Sequence, residues 1–281
     1  MSTRIALVVP SLSGDVDHLM TSIARQSVQP AEVEVVAGVS PNGRARNLGA
    51  ARTRAPVLLF ADDDAVLGSD DTVARVVAPL CDPTIGAVGT AKLIPPNSSW
   101  FQRRVATEVP RIEHPVVGEL TDSNPPVDRH GYTDVTTTCC AIRRDVFEEV
   151  GGFDEDLIRG VDSEFFYRLR VAGYRLVVAP GAWVHHAAPA TLAALLAKHF
   201  RYGIGYAQTV RRHPRLAGGR YLSTPAHAAA YALLRTLLVV PHAFLPDSHA
   251  DGIGRLGFKP LRAVSSYAAG LGYVYGWYRY R

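Results

Sequence analysis

The chain has 281 residues, 47% of them apolar and 20% charged, which is material for one large domain or a domain with an appendage. Three cysteines, Cys81, Cys139 and Cys140, exclude a disulfide framework, and the N-terminal apolar run is too short for a signal peptide, so the chain reads as cytosolic. The net charge of +4 hides an asymmetry: the residues after Pro189 carry 12 Lys or Arg against 2 Asp, so the first 189 are acidic overall and the two regions imply two jobs.

Residues 4–11 (RIALVVPS) read as a short buried strand ending near Pro10. Residues 15–28 place Val16, Leu19, Met20, Ile23 and Ala24 at helical spacing behind a capping Asp15. Residues 32–39 are β-branched and strand-like, 41–55 a basic helix, and 56–61 (PVLLFA) another buried strand. A helix over 70–80 and a strand over 85–93 continue the alternation. Alternating β and α segments with continuously apolar strands predict an α/β fold, a mostly parallel sheet flanked by helices. Residues 94–134 are Pro-rich and irregular, and read as a loop or lid around the site. A strand over 134–142 follows, on which Cys139 and Cys140 face opposite ways, then helices over 143–150 and 162–174. After Pro189 come Ala/Leu-rich helical segments at roughly 190–209, 225–245 and 260–279. The expected division is a first domain over 1–189 and a basic helical annex over 190–281.

The chemistry begins at "LLFADDDAV", residues 58–66, where Asp62, Asp63 and Asp64 follow a buried strand. Sheets of this kind bind ligands beyond the carboxyl ends of their strands. If the segment stays extended, Asp62 and Asp64 point the same way and Asp63 turns elsewhere. Two converging carboxylates suit a hard divalent cation such as Mg²⁺ or Mn²⁺ shared with substrate phosphates. The bland alternative is a polar loop or helix cap.

The ordered segments "RIALVVPS", "EVEVVAGVS" and "GRARNLGAARTRAPVLLFADDDA", followed by "EEVGGFDEDLIRGVDSEFFYRLRVAGYRL" at 148–176, resemble the inverting glycosyltransferases of family 2, over residues 4 to 210. The resemblance implies a GT-A fold, a nucleotide-diphospho-sugar donor and a divalent metal, Mn²⁺ or Mg²⁺, held by an Asp-x-Asp motif. It makes Asp64 the nearest metal ligand and Asp62 a second ligand or a ribose contact. It makes Asp162 the catalytic base, at the start of a helix. A carboxylate on the face opposite the leaving group would take the acceptor hydroxyl's proton. The alternatives are that Asp162 only caps its helix, or that nearby Glu164 is the base. The family often places a further metal-binding histidine after a late strand; His185 fits that place, with His186 in reserve, against an ordinary loop histidine. Pro10, Ser11, Ser40, Arg46, Asn47, Asp62 and Asp63 make up the expected donor-binding set.

Two departures stand out. The family commonly has an Asp after the second strand that contacts the nucleobase, and here the stretch is Ala37-Gly38-Val39-Ser40. The Glu that precedes the catalytic Asp in the family is Val161 here. Arg44 and Arg46 are placed to reach a diphosphate, Arg46 the better of the two, or are simply solvated helix charge.

The annex mixes aromatics with arginine, as in "KHFRYGIGYAQTVRRHPR" (198–215) and "YAAGLGYVYGWYRYR" at the end. Residues 225–246 are apolar but broken by Arg235 and Pro241, a weak transmembrane span. The annex therefore reads as lying on an anionic membrane, peripheral on the inner face of the plasma membrane, or gripping a lipid-phosphate acceptor. The alternative is a hairpin on the first domain at a homodimer interface. Nucleic acid is disfavoured for want of any recognition motif. The functional expectation is metal-dependent inverting transfer of a sugar to a glycan or lipid-linked acceptor. Its rivals are a non-catalytic sugar-nucleotide-binding homologue or scaffold, and a metal-dependent nucleotidyltransferase, which the "GGFDEDLI" segment disfavours.

Overall fold

The computed structural model describes residues 4–125, 133–214, 222–244 and 257–280. They fall into two compact units, one over residues 1–93, 114–157 and 161–186, the other over 94–113, 158–160 and 187–281.

The first unit is built on strands β1 (Ile5–Ser11), β2 (Glu32–Ala37), β3 (Val57–Ala61), β4 (Val66–Leu67), β5 (Ile85–Leu93), β6 (Thr121–Asp122), β7 (Cys139–Arg143) and β8 (Arg175–His185). They form one sheet in the order β2-β1-β3-β7-β5-β8-β4, with β6 also on β8. β1 runs parallel to β2 and β3, and β5 parallel to β8. β7 lies antiparallel between β3 and β5, so the five longer strands around it share one direction. Helices α1 (Asp17–Ala24), α2 (Asn42–Arg52), α3 (Thr72–Val77), α5 (Arg144–Glu149) and α6 (Val161–Val171) complete the unit.

The continuous apolar strands are explained by burial on both faces. Ile5, Leu7 and Val9 of β1 join Val57 and Leu59 of β3 in one cluster, while Ala6 and Val8 join Leu58 and Phe60 in the other. Cys139 and Cys140 divide between the two in the same way. A Cβ on Gly49 would stand 2.4 Å from Val8 Cγ1, so the glycine lets α2 lie close on β1. On the same face Phe60, Phe147, Phe153 and Phe165 form a ring cluster with centroids 4.5–5.6 Å apart. Each such pair adds about 0.5–1.5 kcal/mol beyond the area it buries.

The second unit holds α4 (Trp100–Glu108), α7 (Leu192–Arg212), α8 (Pro225–Leu237), α9 (Val239–His242) and α10 (Pro260–Arg279). Residues 94–113 were expected as part of a loop; they carry α4, started by a capping box between Ser99 and Gln102, and belong with the annex. Buried Glu108 explains the attachment: its carboxylate pairs with Arg104 and accepts the Leu261 N–H at 2.8 Å, at the start of α10. α7 and α10 approach through glycines, since a Cβ on Gly203 or Gly272 would sit 2.0 Å from a carbonyl of the other helix. Thr191 and Thr224 accept backbone N–H groups at the starts of α7 and α8. Parts of the expected irregular segment (126–132) and of the tail (215–221, 245–256 and 281) lie outside the described residues.

Candidate active site

β3 is buried along its whole length, and the chain leaves the sheet at Ala61. Asp62 N–H still donates to Thr138 O at 3.1 Å, beside β7. A turn follows, closed by Ala65 N–H on Asp62 O at 3.1 Å, and β4 then pairs antiparallel with the end of β8, Val66 opposite His185. This path brings the aspartate turn to the last residues of β8. Asp62, Asp64 and His186 each offer a ligand atom, all within 4.8 Å of one another. The convergence of Asp62 and Asp64 was expected from strand alternation; a turn produces it instead. Asp63 is half-buried and outside the cluster, though its charge acts on Asp64.

The histidine of the cluster is His186, whereas the sequence had favoured His185. His185 is the last residue of β8, and its ring meets Trp183 edge-on at 4.8 Å. His186 lies just beyond the strand, its N–H donating to Leu93 O at 2.9 Å and its Nε2 lying 3.5 Å from Asp64 Oδ1. Nothing in the sequence gives the Val66–His185 register that decides between the two.

Arg46 of α2 is buried, and its Nη2 donates to Asp62 Oδ1 at 2.7 Å. The guanidinium carbon stands 5.6 Å from the Phe153 ring centre, and Nε is buried with no hydrogen-bond partner. Arg44 is exposed. Partial desolvation pushes the Asp64 carboxyl pKa up, although its side chain is still 57% exposed; the nearby His186 opposes this, and the charges of Asp62 and Asp63 add to it. Two carboxylates and an imidazole form a hard oxygen-and-nitrogen donor set, and the mutual repulsion of the aspartates is what a cation relieves. The residues present therefore fit Mn²⁺ or Mg²⁺.

Asp162 is in the first turn of α6. Its Oδ1 accepts the Ser163 N–H at 2.9 Å. Burial pushes the Cys140 thiol pKa far up, and the charges acting on it include Cys139, Arg46, Asp162 and Asp62. Glu164, the alternative base, is buried and chelated by Arg168 at 2.7 and 2.8 Å. Arg168 in turn donates to the carbonyls of Val150 and Gly152. Glu164 therefore braces the turn at Gly151 and Gly152, whose φ angles of +82° and +66° favour glycine.

Pro10 and Ser11 end β1, level with Val36 and Ala37 of β2, at the same sheet edge as Asp62. Ser11 is buried; its Oγ accepts the Gly14 N–H and its carbonyl the Gly38 N–H, both at 2.9 Å. Ser40 is exposed just before α2. Asn47, expected to bind the donor, has a different job. Its Nδ2 donates to Phe153 O at 2.8 Å and Glu155 Oε1 at 2.9 Å, and its Oδ1 accepts the Phe153 N–H at 2.9 Å. Its amide is taken up by the 151–155 segment, a partnership that the spacing of the two motifs does not reveal.

Comparison with known proteins places this site in context. The O-antigen chain rhamnosyltransferase RfbN of Salmonella typhimurium is 26% identical over 209 residues, 73% of this chain and 65% of its own. The succinoglycan biosynthesis protein ExoA of Rhizobium meliloti is 30% identical over 149 residues, 49% of this chain and 45% of its own. The chain thus spans just under two thirds of RfbN and under half of ExoA. Among solved structures, the mannosyltransferase PcManGT from Pyrobaculum calidifontis, in complex with GDP-Man and Mn²⁺, aligns over 97% of this chain and 86% of its own. The TM-score is 0.55 at 15% identity, a likeness of fold, GT-A. The profile described as glycosyltransferase like family 2 matches residues 1–205, from β1 through most of α7, and the chain belongs to that family.

Proposed function

We propose that the chain is a metal-dependent inverting glycosyltransferase. It moves a sugar from a nucleotide-diphosphate donor to a hydroxyl of a glycan or lipid-linked acceptor, at the inner face of the plasma membrane. The observation that carries this reading is the convergence of Asp62, Asp64 and His186 within 4.8 Å, at the sheet edge where β1, β2 and β3 end. The names of RfbN, a rhamnosyltransferase, and of PcManGT with its GDP-Man and Mn²⁺ are consistent with it.

Asp62, Asp64 and His186 would hold Mn²⁺ or Mg²⁺, which supplies positive charge to the departing diphosphate. Arg46 fixes one oxygen of Asp62 and lowers the local negative charge, so the site can accept an anionic donor. Asp162 takes the proton of the acceptor hydroxyl. As the acceptor oxygen bonds to the anomeric carbon, the bond to the diphosphate oxygen breaks on the opposite face, and configuration inverts. One carboxylate suffices because leaving-group departure needs no protein acid here. Pro10, Ser11 and Ser40, beside exposed Ala37 and Gly38, are left to hold the nucleoside through shape and backbone groups rather than a carboxylate.

The test is a screen of nucleotide-diphospho-sugars with Mn²⁺, read by calorimetry and by release of nucleoside diphosphate. At least one donor should bind and be slowly hydrolysed in the presence of Mn²⁺ and neither with EDTA. Binding without turnover, with any acceptor offered, would favour the non-catalytic homologue. No binding at millimolar donor would remove the reading altogether.

A further inference from the structure

α8 and α9 present their apolar side outward. Leu233, Leu234, Leu237, Val240, Phe244 and Phe258 are each 51–66% exposed. The hydrogen bonds Leu238 N–H to Leu234 O and His242 N–H to Leu238 O carry the helix across the α8–α9 junction. At about 100° per residue, positions 233, 237, 240 and 244 then fall within an arc of roughly 60°. Phe258 extends the stripe, its ring 5.3 Å from that of Phe244. The exposed apolar area is on the order of 600 Å², the upper end of what a monomer usually leaves open. The other side of α8 is already used. Tyr231 meets Tyr273 at 5.5 Å, and Arg235 donates to Ser266 of α10.

The tail is net basic, with 12 Lys or Arg after Pro189 against Asp247 and Asp251. The described residues from 190 to 280 include eight Lys or Arg and no Asp or Glu. Lys259 follows Phe258 directly, and its N–H donates to Ala243 O at 2.7 Å, which sets it at the end of the stripe with Arg262 one helical turn along α10. No helix among the described residues is long and apolar enough to cross a membrane.

We infer that this face docks on an anionic bilayer. Leu233, Leu237, Val240, Phe244 and Phe258 enter the acyl boundary, and Lys259 and Arg262 meet the headgroup phosphates. A second copy is the poorer occupant, since pairing the face with itself would bring two net basic surfaces together. The docking stands apart from the catalytic reading, because it involves none of the residues assigned to transfer.

The experiment is flotation of the full chain, without nucleotide-sugar, on vesicles of phosphatidylcholine alone or with 30% phosphatidylglycerol. The chain should float with the anionic vesicles only, and 0.5 M salt should release it. Leu237→Glu with Val240→Glu should weaken vesicle affinity at least tenfold while leaving donor hydrolysis in solution unchanged. Lys259→Gln with Arg262→Gln should erase the preference for anionic lipid. If the Glu pair lowers the melting temperature, Leu237→Ser with Val240→Ser should give the same direction of loss. Failure of the full chain to float, or apolar variants that float as well as the parent, would overturn the proposal. So would a dimer, seen by light scattering, that the Glu pair splits.

Discussion

Replacing Arg46 with Met tests whether the aspartate cluster is an electrostatic unit. The parent Arg46 side chain is 4% exposed and that of its partner Asp62 is 23% exposed. Removing one member of a buried ion pair costs about 3–5 kcal/mol because the other charge is stranded. Asp62 keeps some access to water, which lowers that to roughly 2–3 kcal/mol, and loss of the contact with the Phe153 ring adds about 0.5–1 kcal/mol. The metal-free variant should therefore lose about 3 kcal/mol in urea unfolding under EDTA. Arg44→Met, at an exposed position of the same helix, should lose under about 0.5 kcal/mol. A second arm reads the cation. Without Arg46 the cluster carries one more uncompensated negative charge, so Mn²⁺ should bind it more tightly and restore more stability than in the parent. A tenfold gain in affinity appears as about 1.4 kcal/mol of extra stabilisation at saturating metal. A loss no greater than that of Arg44→Met, or a smaller Mn²⁺ increment in Arg46→Met than in the parent, would refute the reasoning.

Other expectations follow from the same geometry. Asp162→Asn should keep donor affinity within about twofold and lower transfer by roughly 10²–10⁴, read by product formation against donor binding. Asn47→Ala should lower stability by about 2–3 kcal/mol, since it strands the Phe153 N–H and removes two donated bonds, yet leave donor affinity nearly unchanged. Gly272→Val should cost about 3 kcal/mol, because its Cβ would meet Phe200 O at 2.0 Å, and the loss should show in thermal melts of the full chain. Burial pushes the Cys139 thiol pKa up to about 12 and that of Cys140 well above its usual value, so neither is a thiolate at pH 8. Thiol titration of the folded chain should count one fast cysteine, exposed Cys81, and the other two only after denaturation.

What the sequence made legible was whatever depends on short range. The buried strands at 5–11, 57–61 and 85–93 announce themselves as apolar runs, and the helices at 192–212 and 260–279 as Ala/Leu-rich periods, because burial and periodicity are local signals. Asp62 and Asp64 were found as a pair, but for the wrong reason. Alternation would need Asp63 and Asp64 to continue β3, and the chain turns there once the β7 ladder ends. The choice of His186 over His185, the role of Asn47 and the attachment of 94–113 to the annex depend on contacts between segments far apart in sequence. Val66 opposite His185, Asn47 on Phe153 and Glu108 on Leu261 are pairings that no window of the sequence contains.

Those long-range contacts also change what the two recognisable motifs are for. Ala45–Gly49 and Gly151–Glu155 are two separate stretches that carry the family resemblance, and of them Arg46 and Asn47 were expected to bind the donor. In the fold they hold each other. Asn47 clasps the Phe153 backbone at both its N–H and its carbonyl, and the Phe153 ring lies against the Arg46 guanidinium. Phe153 is also part of the aromatic cluster with Phe60 of β3 and Phe165 of α6. Phe60 is two residues before Asp62, and Phe165 is three residues after Asp162. The clasp thus fixes Asp62 and Asp162 relative to one another through a shared set of rings, and Arg46 joins it to Asp62. A small change in the clasp would displace Asp162 and the Asp62–Asp64–His186 cluster together, because both are tied to one phenylalanine.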